Sequence, residues 1–247
     1  MTQAVDGAAA VRLADLTWDE VPVAPVVLLP LGSTEQHGPH LPLRTDTTIA
    51  VRVAVRAAEE LGSGAHGVSA VVAPPLEYGA SGEHQDFRGT VSTGSPALRF
   101  LLSEMFRSLS GWASRVVVVN GHGGNVEGLA AAVLQMVEEG HAVTWVPCQV
   151  QGSDAHAGHL ETSLMQHLCP ELVRMDKAVV GNTTPLWQLM PALRDRGMAS
   201  VSPSGVLGDP TTASAEQGAV ALERMVEDVV VRILYGEADG TGCLQVP

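Results

Sequence analysis

Four short apolar runs, separated by segments with helical spacing, constrain the fold of this chain more than any other feature. The runs cover residues 25–31, 68–73, 115–119 and 142–146. Each is followed at once by glycine, proline or asparagine, a pattern typical of strands that are buried on both faces. Because strands that alternate with helices form mainly parallel sheets, we expect an α/β fold whose sheet is covered by helices on both faces.

The segments between these runs carry helix signals. Ser95 and Pro96 provide an N-cap and a first-turn proline, and Ser214-Ala-Glu-Gln217 has the form of a capping box. We find no linker or internal repeat, and therefore predict a single domain over residues 1–247. The predicted helices cover residues 47–61, 95–110, 125–139, 158–168 and 214–234. The remaining predictions are a loose arm over residues 1–20, a loop-rich stretch over residues 176–213 and a frayed tail over residues 236–247.

Composition narrows the partners of this protein. The formal net charge is −13 and no run of Lys or Arg occurs, which disfavours binding to a nucleic-acid backbone. Three widely spaced cysteines offer no disulfide framework, as expected in a reducing compartment. The sequence shows no signal peptide and no apolar stretch of about 18 residues that could span a bilayer. We therefore expect a soluble cytoplasmic protein that binds neither nucleic acid nor membrane.

Acidic and histidine side chains follow three of the four apolar runs. Glu35, His37 and Asp46 come after the first run, and His122 comes after the third. The fourth run is followed by the segment 156–161, which contains His156 and Glu161. The carboxyl ends of parallel strands meet at one edge of a sheet, where ligands usually bind. Carboxylate and imidazole without thiolate are ligands for zinc, ferrous iron or manganese, so the pattern predicts a hydrolytic metal site.

Several of these residues also have simpler interpretations. A single aspartate such as Asp46, placed before a helix, often serves only as a cap. The glycine-rich turn at residues 121–124 could form a phosphate-binding nest, but it lacks the Lys and Ser/Thr of a nucleotide P-loop. Four other histidines are interpreted mainly as surface or core residues: His66, His84, His141 and His167.

Five stretches together resemble the creatininase family of metal-dependent amidohydrolases. They are Leu31-Gly-Ser-Thr-Glu-Gln-His-Gly-Pro-His-Leu-Pro-Leu43, Thr45-Asp-Thr47, Asn120-Gly-His-Gly-Gly-Asn125, His156-Ala-Gly-His-Leu-Glu-Thr-Ser163 and Gly205-Val-Leu-Gly-Asp-Pro-Thr-Thr-Ala-Ser-Ala215. The resemblance implies a three-layer α/β/α fold, assembly into homo-oligomers and two divalent cations. Zinc, ferrous iron and manganese are all compatible with such ligands.

The resemblance also implies a role for each ligand. Asp46 is expected to bridge the two cations, while Glu35 and His122 hold one of them. His37 and a further glutamate are expected to hold the other. Creatininase itself has a glutamate two residues after the histidine of the third motif, where this chain has Gly124. We assign that role to Glu161, with Glu127 as the alternative.

Within the family, residues 78–85, 154–163 and 205–212 are most similar to the branch associated with mycofactocin biosynthesis. Its members are peptidases that release a C-terminal valine–tyrosine-derived piece from a modified precursor peptide. The resemblance therefore implies hydrolysis of a peptide bond by activated water. We expect His156 to donate the proton to the leaving nitrogen, with Glu83 or His84 as alternatives.

Three other functions are weighed against this one. A creatininase-like cyclic amidase or a formamide hydrolase would act on a small heterocycle at the same site. A serine hydrolase is disfavoured because no Gly-x-Ser-x-Gly elbow occurs. A metal-dependent binding protein without catalytic activity would carry the same ligands but would not cleave a bound peptide.

Overall fold

The computed structural model describes residues 10–246, and its centre is a five-stranded parallel sheet. The strand order is β1-β3-β2-β4-β5, so the third strand in the chain lies between the first and the second. Each of the four predicted runs forms one strand, and a fifth short strand lies at one edge. The strands are β1 (Val11–Arg12), β2 (Val26–Leu31), β3 (Ala70–Val72), β4 (Arg115–Asn120) and β5 (Val143–Pro147).

Within residues 10–246, six α-helices accompany the sheet, and five of them lie where helical spacing predicted them. The predicted capping box is present in part, because Ser214 accepts the Gln217 backbone N–H at 3.3 Å. The helices are α1 (Thr45–Gly62), α2 (Ser95–Ser110), α3 (Val126–Glu138), α4 (His159–Leu168), α5 (Leu186–Arg196) and α6 (Ala215–Tyr235).

Alternate side chains of the central strands enter two separate cores. Val116 and Val118 of β4 pack with α2 and α3, whereas Val117 and Val119 pack on the opposite face with α1, α4 and α6. A strand directs successive side chains to opposite faces, so a run of apolar residues serves both cores at once. The predicted three-layer α/β/α fold with a mainly parallel sheet is confirmed.

The ends of the chain differ from the prediction within the described residues. Part of the predicted loose arm forms β1, in which Val11 pairs with Val71 of β3; residues 1–9 lie outside the described residues. The predicted frayed tail forms an antiparallel pair, β6 (Glu237–Ala238) and β7 (Leu244–Gln245). Cys243 and Leu244 are buried there against the sheet and its helices, which supplies the burial that keeps the tail in place.

The predicted loop-rich stretch contains α5, a helix that was not predicted from the local sequence pattern. Pro191 lies inside this helix, and such a residue normally argues against a helix interior. Leu189 and Leu193 are nevertheless buried with Met198 and Leu207 in a small cluster of their own. Tertiary packing therefore outweighs the local signal.

The register of the sheet brings the functional loops together. Leu31 at the end of β2 is paired with Asn120 at the end of β4, and Asn120 is paired with Pro147 at the end of β5. The three loops that carry the predicted ligands therefore leave the sheet side by side. Among the helices of residues 10–246, none has the length and apolar character required to cross a bilayer.

Candidate metal centre

The loop after β2 and the first turn of α1 supply three buried polar side chains. Glu35 and His37 have no exposed surface, and Asp46 is 1% exposed. The loop runs directly against α1, because a Cβ atom at Gly32 would lie 2.5 Å from the Thr47 backbone nitrogen. Glycine at this position lets the loop pass close enough to bring Glu35 and Asp46 together.

Asp46 lies between the two histidines that flank it. Its Oδ1 atom is 2.9 Å from His37 Nε2, and its Oδ2 atom is 3.4 Å from His122 Nδ1. Glu35 Oε2 is 3.1 Å from His122 Nε2. Glu35, Asp46 and His122 each offer one ligand atom within 4.8 Å of the other two. Residues separated by up to 87 positions in the sequence, from Glu35 to His122, thus meet at one point.

Glu161 also lies in this cluster, whereas Glu127 does not. Glu161 Oε2 is 3.7 Å from His37 Nε2 and accepts the Ala157 backbone N–H at 2.6 Å. Glu161, His37 and His156 each offer one ligand atom within 4.8 Å of the other two. Glu127 is exposed on α3, where it accepts a hydrogen bond from Ser95 Oγ at 3.3 Å. Of the two glutamates that the sequence left open, the structure therefore brings only Glu161 to the centre.

Asn125 joins the loops that surround the cluster. Its Oδ1 atom accepts the Ala80 N–H at 2.8 Å, and its Nδ2 atom donates to the Gly32 carbonyl at 3.0 Å and to Asn120 Oδ1 at 3.1 Å. Asn125 is completely buried, so these bonds form away from competing water. One amide side chain thus fixes the loops that follow β2, β3 and β4.

His84, interpreted from sequence mainly as a surface or core histidine, belongs to the cluster. It ends a 3₁₀ turn in the loop after β3, and its Nε2 atom is 3.4 Å from Glu35 Oε1. Its neighbour Glu83 has its Oε1 atom 3.7 Å from His122 Nε2. The position of both residues after the second apolar run was the available signal, since that run ends at the same edge of the sheet.

Gly124 occupies the position where creatininase has a glutamate, and its surroundings leave no room for a side chain. A Cβ atom there would lie 2.6 Å from Glu83 Oε1. The Ala80 carbonyl oxygen, the His122 ring and the Glu83 carboxylate together take up the space that a side chain at Gly124 would need.

His156 presents a bare nitrogen to the cluster. Its Nε2 atom lies 2.9 Å from the Gln36 backbone carbonyl, which can only accept, so Nε2 carries the ring hydrogen. Its Nδ1 atom lies 3.7 Å from Glu35 Oε1. The hydrogen-bond network thus assigns an unprotonated Nδ1 that faces the carboxylates. His156 must therefore take up a proton at Nδ1 before it can donate one from that atom.

Burial and mutual charge shift the ionisation of the cluster. Burial raises the pKa of Glu35 to about 7 and that of Glu161 to about 7. Burial opposes a charged imidazole at His37, yet the adjacent Asp46 carboxylate raises the pKa of His37 to about 10. Burial, together with the neighbouring charged histidines, holds the pKa of His156 well below its usual value.

Two carboxylate oxygens of the cluster have no hydrogen-bond partner. They are Glu35 Oε1 and Asp46 Oδ2, both fully buried. An unpaired buried carboxylate oxygen is costly unless a cation or donor compensates it. These two oxygens, with the imidazoles of His37 and His122 and with Glu161, form a donor set that suits a divalent transition metal. The residues present therefore fit a metal centre.

Comparison with known proteins agrees with this geometry. The family model described as "Creatininase: Creatinine amidohydrolase" matches residues 14–233. The chain is 55% identical to the mycofactocin precursor peptide peptidase of Mycolicibacterium smegmatis over 90% of both chains. It is 54% identical to the protein of the same name from Mycobacterium ulcerans, over 85% of this chain and 84% of that one. It is 31% identical to the creatinine amidohydrolase of Pseudomonas putida, over 89% of this chain and 94% of that one.

Solved structures of creatininases share the fold. A mutant creatininase of the Zn–Zn type superposes with a TM-score of 0.73 at 29% identity, covering 90% of this chain and 96% of that chain. A structure titled "Creatininase Mn" gives a TM-score of 0.72 at 30% identity, with 90% of this chain and 96% of that chain covered. The shared fold, the matched family model and the relatives lead to one conclusion: the chain belongs to the creatininase family of metal-dependent amidohydrolases.

Proposed function

We propose that this protein cleaves one peptide bond in a mycofactocin precursor peptide and releases its C-terminal valine–tyrosine-derived piece. The proposal rests on the 55% identity to the Mycolicibacterium smegmatis peptidase, which extends over 90% of both chains. The chemistry is hydrolysis of a C–N amide bond, as the family implies.

Five side chains would hold two divalent cations in this proposal. Asp46 would bridge them, because its two oxygens face His37 and His122 separately. Glu35 with His122 would hold one cation, and His37 with Glu161 the other. When bound, two such cations lower the pKa of water and polarise the scissile carbonyl. Zinc, ferrous iron and manganese all suit these oxygen and nitrogen ligands.

His156 would carry a proton from the attacking water to the leaving nitrogen. Its bare Nδ1 atom accepts the proton as the water oxygen bonds to the carbonyl carbon. The C–N bond then breaks and the same proton passes from Nδ1 to the departing nitrogen, so that a carboxylic acid and an amine result. The lowered pKa of His156 favours this second transfer, because an imidazolium that is destabilised by burial and by neighbouring positive charge gives up its proton readily. Its Nε2–H remains bonded to the Gln36 carbonyl throughout.

A cavity of about 2120 Å³ opens onto the cluster and supports a peptide substrate. Pockets for small molecules typically measure about 300–1,000 Å³, so this cavity exceeds the needs of a small heterocycle. Glu83, His84 and His156 line it beside the cluster, and Leu186 and Met190 of α5 line it further out. Arg194, Asp195 and Arg196 of the same helix also line the cavity, so this wall offers both apolar and charged contacts to a peptide.

Mass spectrometry of the modified precursor peptide, incubated with the metal-reconstituted protein, tests this proposal. We expect one cleavage that separates the C-terminal valine–tyrosine-derived piece, and no cleavage after chelation. Creatinine and a formamidopyrimidine serve as competing substrates, since the Pseudomonas putida relative acts on creatinine by its name. Turnover of either small molecule without peptide cleavage would replace the peptidase by a cyclic amidase or formamide hydrolase.

We also propose that the protein assembles into homo-oligomers. Helices α2 and α3 expose several large apolar side chains, and burial of such side chains against a second copy would favour assembly. The exposed side chains are Phe100, Leu101, Leu134 and Val137. Light scattering coupled to gel filtration measures the mass directly, and a value near the 25.8 kDa of one chain would contradict assembly.

A further inference from the structure

The buried amide of Gln36 has one orientation. Its Oε1 atom accepts the Gly38 backbone N–H at 2.8 Å, so the other end of the amide must be the NH₂ group. That Nε2 atom lies 3.1 Å from the Gly205 carbonyl, which can only accept a hydrogen bond. Both contacts agree, and together they determine which end of the side chain donates.

The second hydrogen of the Gln36 amide goes to His84. Two ring nitrogens lie within reach, His84 Nδ1 at 2.8 Å and His156 Nε2 at 3.1 Å. His156 Nε2 already donates its own hydrogen to the backbone carbonyl of Gln36 and cannot accept another. His84 Nδ1 must therefore be the acceptor.

This bond determines the state of the His84 ring. An imidazole whose Nδ1 accepts a hydrogen bond is neutral and carries its hydrogen on Nε2. His84 Nε2 lies 3.4 Å from Glu35 Oε1, one of the two carboxylate oxygens without a partner. Glu35, His84 and His156 each offer one atom within 4.8 Å of the other two, as the ligands of a cation would. A ring nitrogen that bears a hydrogen cannot coordinate a cation, however, so His84 Nε2 is not available as a ligand. His84 and His156 thus present opposite atoms to Glu35, an N–H and a lone pair.

We propose that Gln36 holds His84 neutral with its Nε2–H group facing Glu35 Oε1, which makes His84 a positioning residue for this carboxylate and not a metal ligand. The inference rests on the proposed function, because Glu35 is one of the proposed ligands. With the His84 N–H group facing Glu35 Oε1, the other oxygen, Oε2, accepts from Ser33 Oγ at 2.9 Å and is directed toward His122. Partners of this kind typically contribute about 10–100-fold to metal affinity or activity.

Nitrogen NMR of the metal-free, full-length protein tests the tautomer directly. Long-range proton–nitrogen correlation distinguishes protonated from bare ring nitrogens, and the His84 signals are identified by their absence in His84→Gln. We expect a bare Nδ1 and a protonated Nε2 for His84 near neutral pH. A protonated Nδ1 would overturn the inference. His66→Ala, which alters an exposed histidine in a loop after α1, controls for the assignment.

Zinc titration against a competing chelator tests the positioning role. We expect His84→Ala to bind two zinc ions about 10–100-fold more weakly than the unaltered protein. His84→Gln is expected to recover part of the loss, because its amide can donate to Glu35, while His66→Ala should bind like the unaltered protein. Loss of one zinc ion in His84→Ala would make His84 a ligand, and unchanged affinity would remove its role. An unaltered protein that binds no zinc would instead refute the proposed function.

Gln36→Glu tests whether the Gln36 amide determines which ring nitrogen of His84 carries the hydrogen. A carboxylate at this position has no hydrogen to donate, so His84 Nδ1 should become protonated in the nitrogen spectrum. A neutral His84 ring that carries its hydrogen on Nδ1 has none on Nε2 to present to Glu35. Zinc affinity should then fall about as far as in His84→Ala. A His84 Nδ1 that stays bare in this variant would exclude control by Gln36. If the variant does not fold, the tautomer of the unaltered protein and the His84 variants still decide the matter.

Discussion

Asp46 is the residue at which the two halves of the cluster meet. Its carboxylate is 1% exposed, and its two oxygens face His37 and His122 at 2.9 Å and 3.4 Å. Burial would raise the pKa of Asp46, but the positive charge available at His37 lowers it below the ordinary value. Asp46 therefore stays ionised while burial raises the pKa of Glu35 and Glu161. A buried carboxylate of this kind is a ready bridging ligand.

Substitution of the two alternative glutamates identifies the fifth ligand. Glu161→Gln removes one charged oxygen 3.7 Å from His37 Nε2, so we expect metal content to fall from two ions toward one. The matched variant Glu127→Gln changes an exposed residue that bonds to Ser95 and should keep both ions. Elemental analysis after dialysis measures both. The opposite result would move the role to Glu127.

Replacement of His156 separates proton transfer from metal binding. We expect His156→Ala to retain both cations and to hydrolyse the peptide about 10²–10⁴-fold more slowly, the usual contribution of one acid–base group. His159→Ala is the control, since that ring lies three positions further on and contacts Thr212 Oγ1 at 3.2 Å. Single-turnover kinetics and elemental analysis check the two quantities. Unchanged turnover in His156→Ala would exclude it from the reaction.

At the scale of elements, α4 carries Glu161 and is held at its start by Asp154. The Asp154 carboxylate accepts the backbone N–H groups of His159 and Leu160, which have no partner within the helix. Ala157, just before the helix, has a φ of 51°, and its N–H donates to Glu161. The segment between β5 and α4 therefore turns sharply and points Glu161 back at the cluster.

Removal of this cap should weaken the whole element. We expect Asp154→Ala to lower the free energy of unfolding by about 0.5–2 kcal/mol, the typical effect of losing a helix cap. Metal affinity should fall with it, because Glu161 is no longer held in place. Asp195→Ala, at a side chain 80% exposed on α5, should change neither quantity. Urea unfolding and zinc titration are the measurements, and equal behaviour of the two variants would contradict the role of Asp154.

At the scale of the whole molecule, the cluster couples protonation to stability in the metal-free protein. Burial opposes a charged His37, but Asp46 raises its pKa to about 10, compared with about 6.5 in the unfolded chain. Both states hold this proton below pH 6.5, so the stabilisation is fully present there. Only the folded chain holds it between about pH 6.5 and 10, so the stabilisation is lost as pH rises through that window.

We therefore expect the free energy of unfolding of the metal-free protein to fall as pH rises from about 7.5 to 10. His37→Gln should show a shallower decrease, because it lacks the group that releases the proton on unfolding. Urea titrations in the presence of a chelator measure the slope. The exposed-site variant His66→Ala should follow the unaltered protein, and equal slopes in His37→Gln and the unaltered protein would refute the assignment to His37.

Much of this architecture is present in local sequence patterns. The apolar runs predicted the four strands, because a strand buried on both faces must be apolar at successive positions. Val116 and Val117 illustrate this, since they enter opposite cores. The same parallel arrangement places the residues after Leu31, Asn120 and Pro147 at one edge, so the carboxylate and imidazole cluster followed from strand ends alone.

The tertiary structure decided which other residues complete the cluster. His84 reaches Gln36 across 48 positions, and Gln36 reaches Gly205 across 169, so no local pattern contains these bonds. The choice of Glu161 over Glu127 depends likewise on how α4 and α3 sit against the sheet. The sequence by itself determined the strands, the sheet and the chemical class of its edge, because these depend on short-range periodicity. Hydrogen bonds between distant loops decided which nitrogen of each histidine faces the carboxylates, because the direction of a donor depends on the packing of the folded chain.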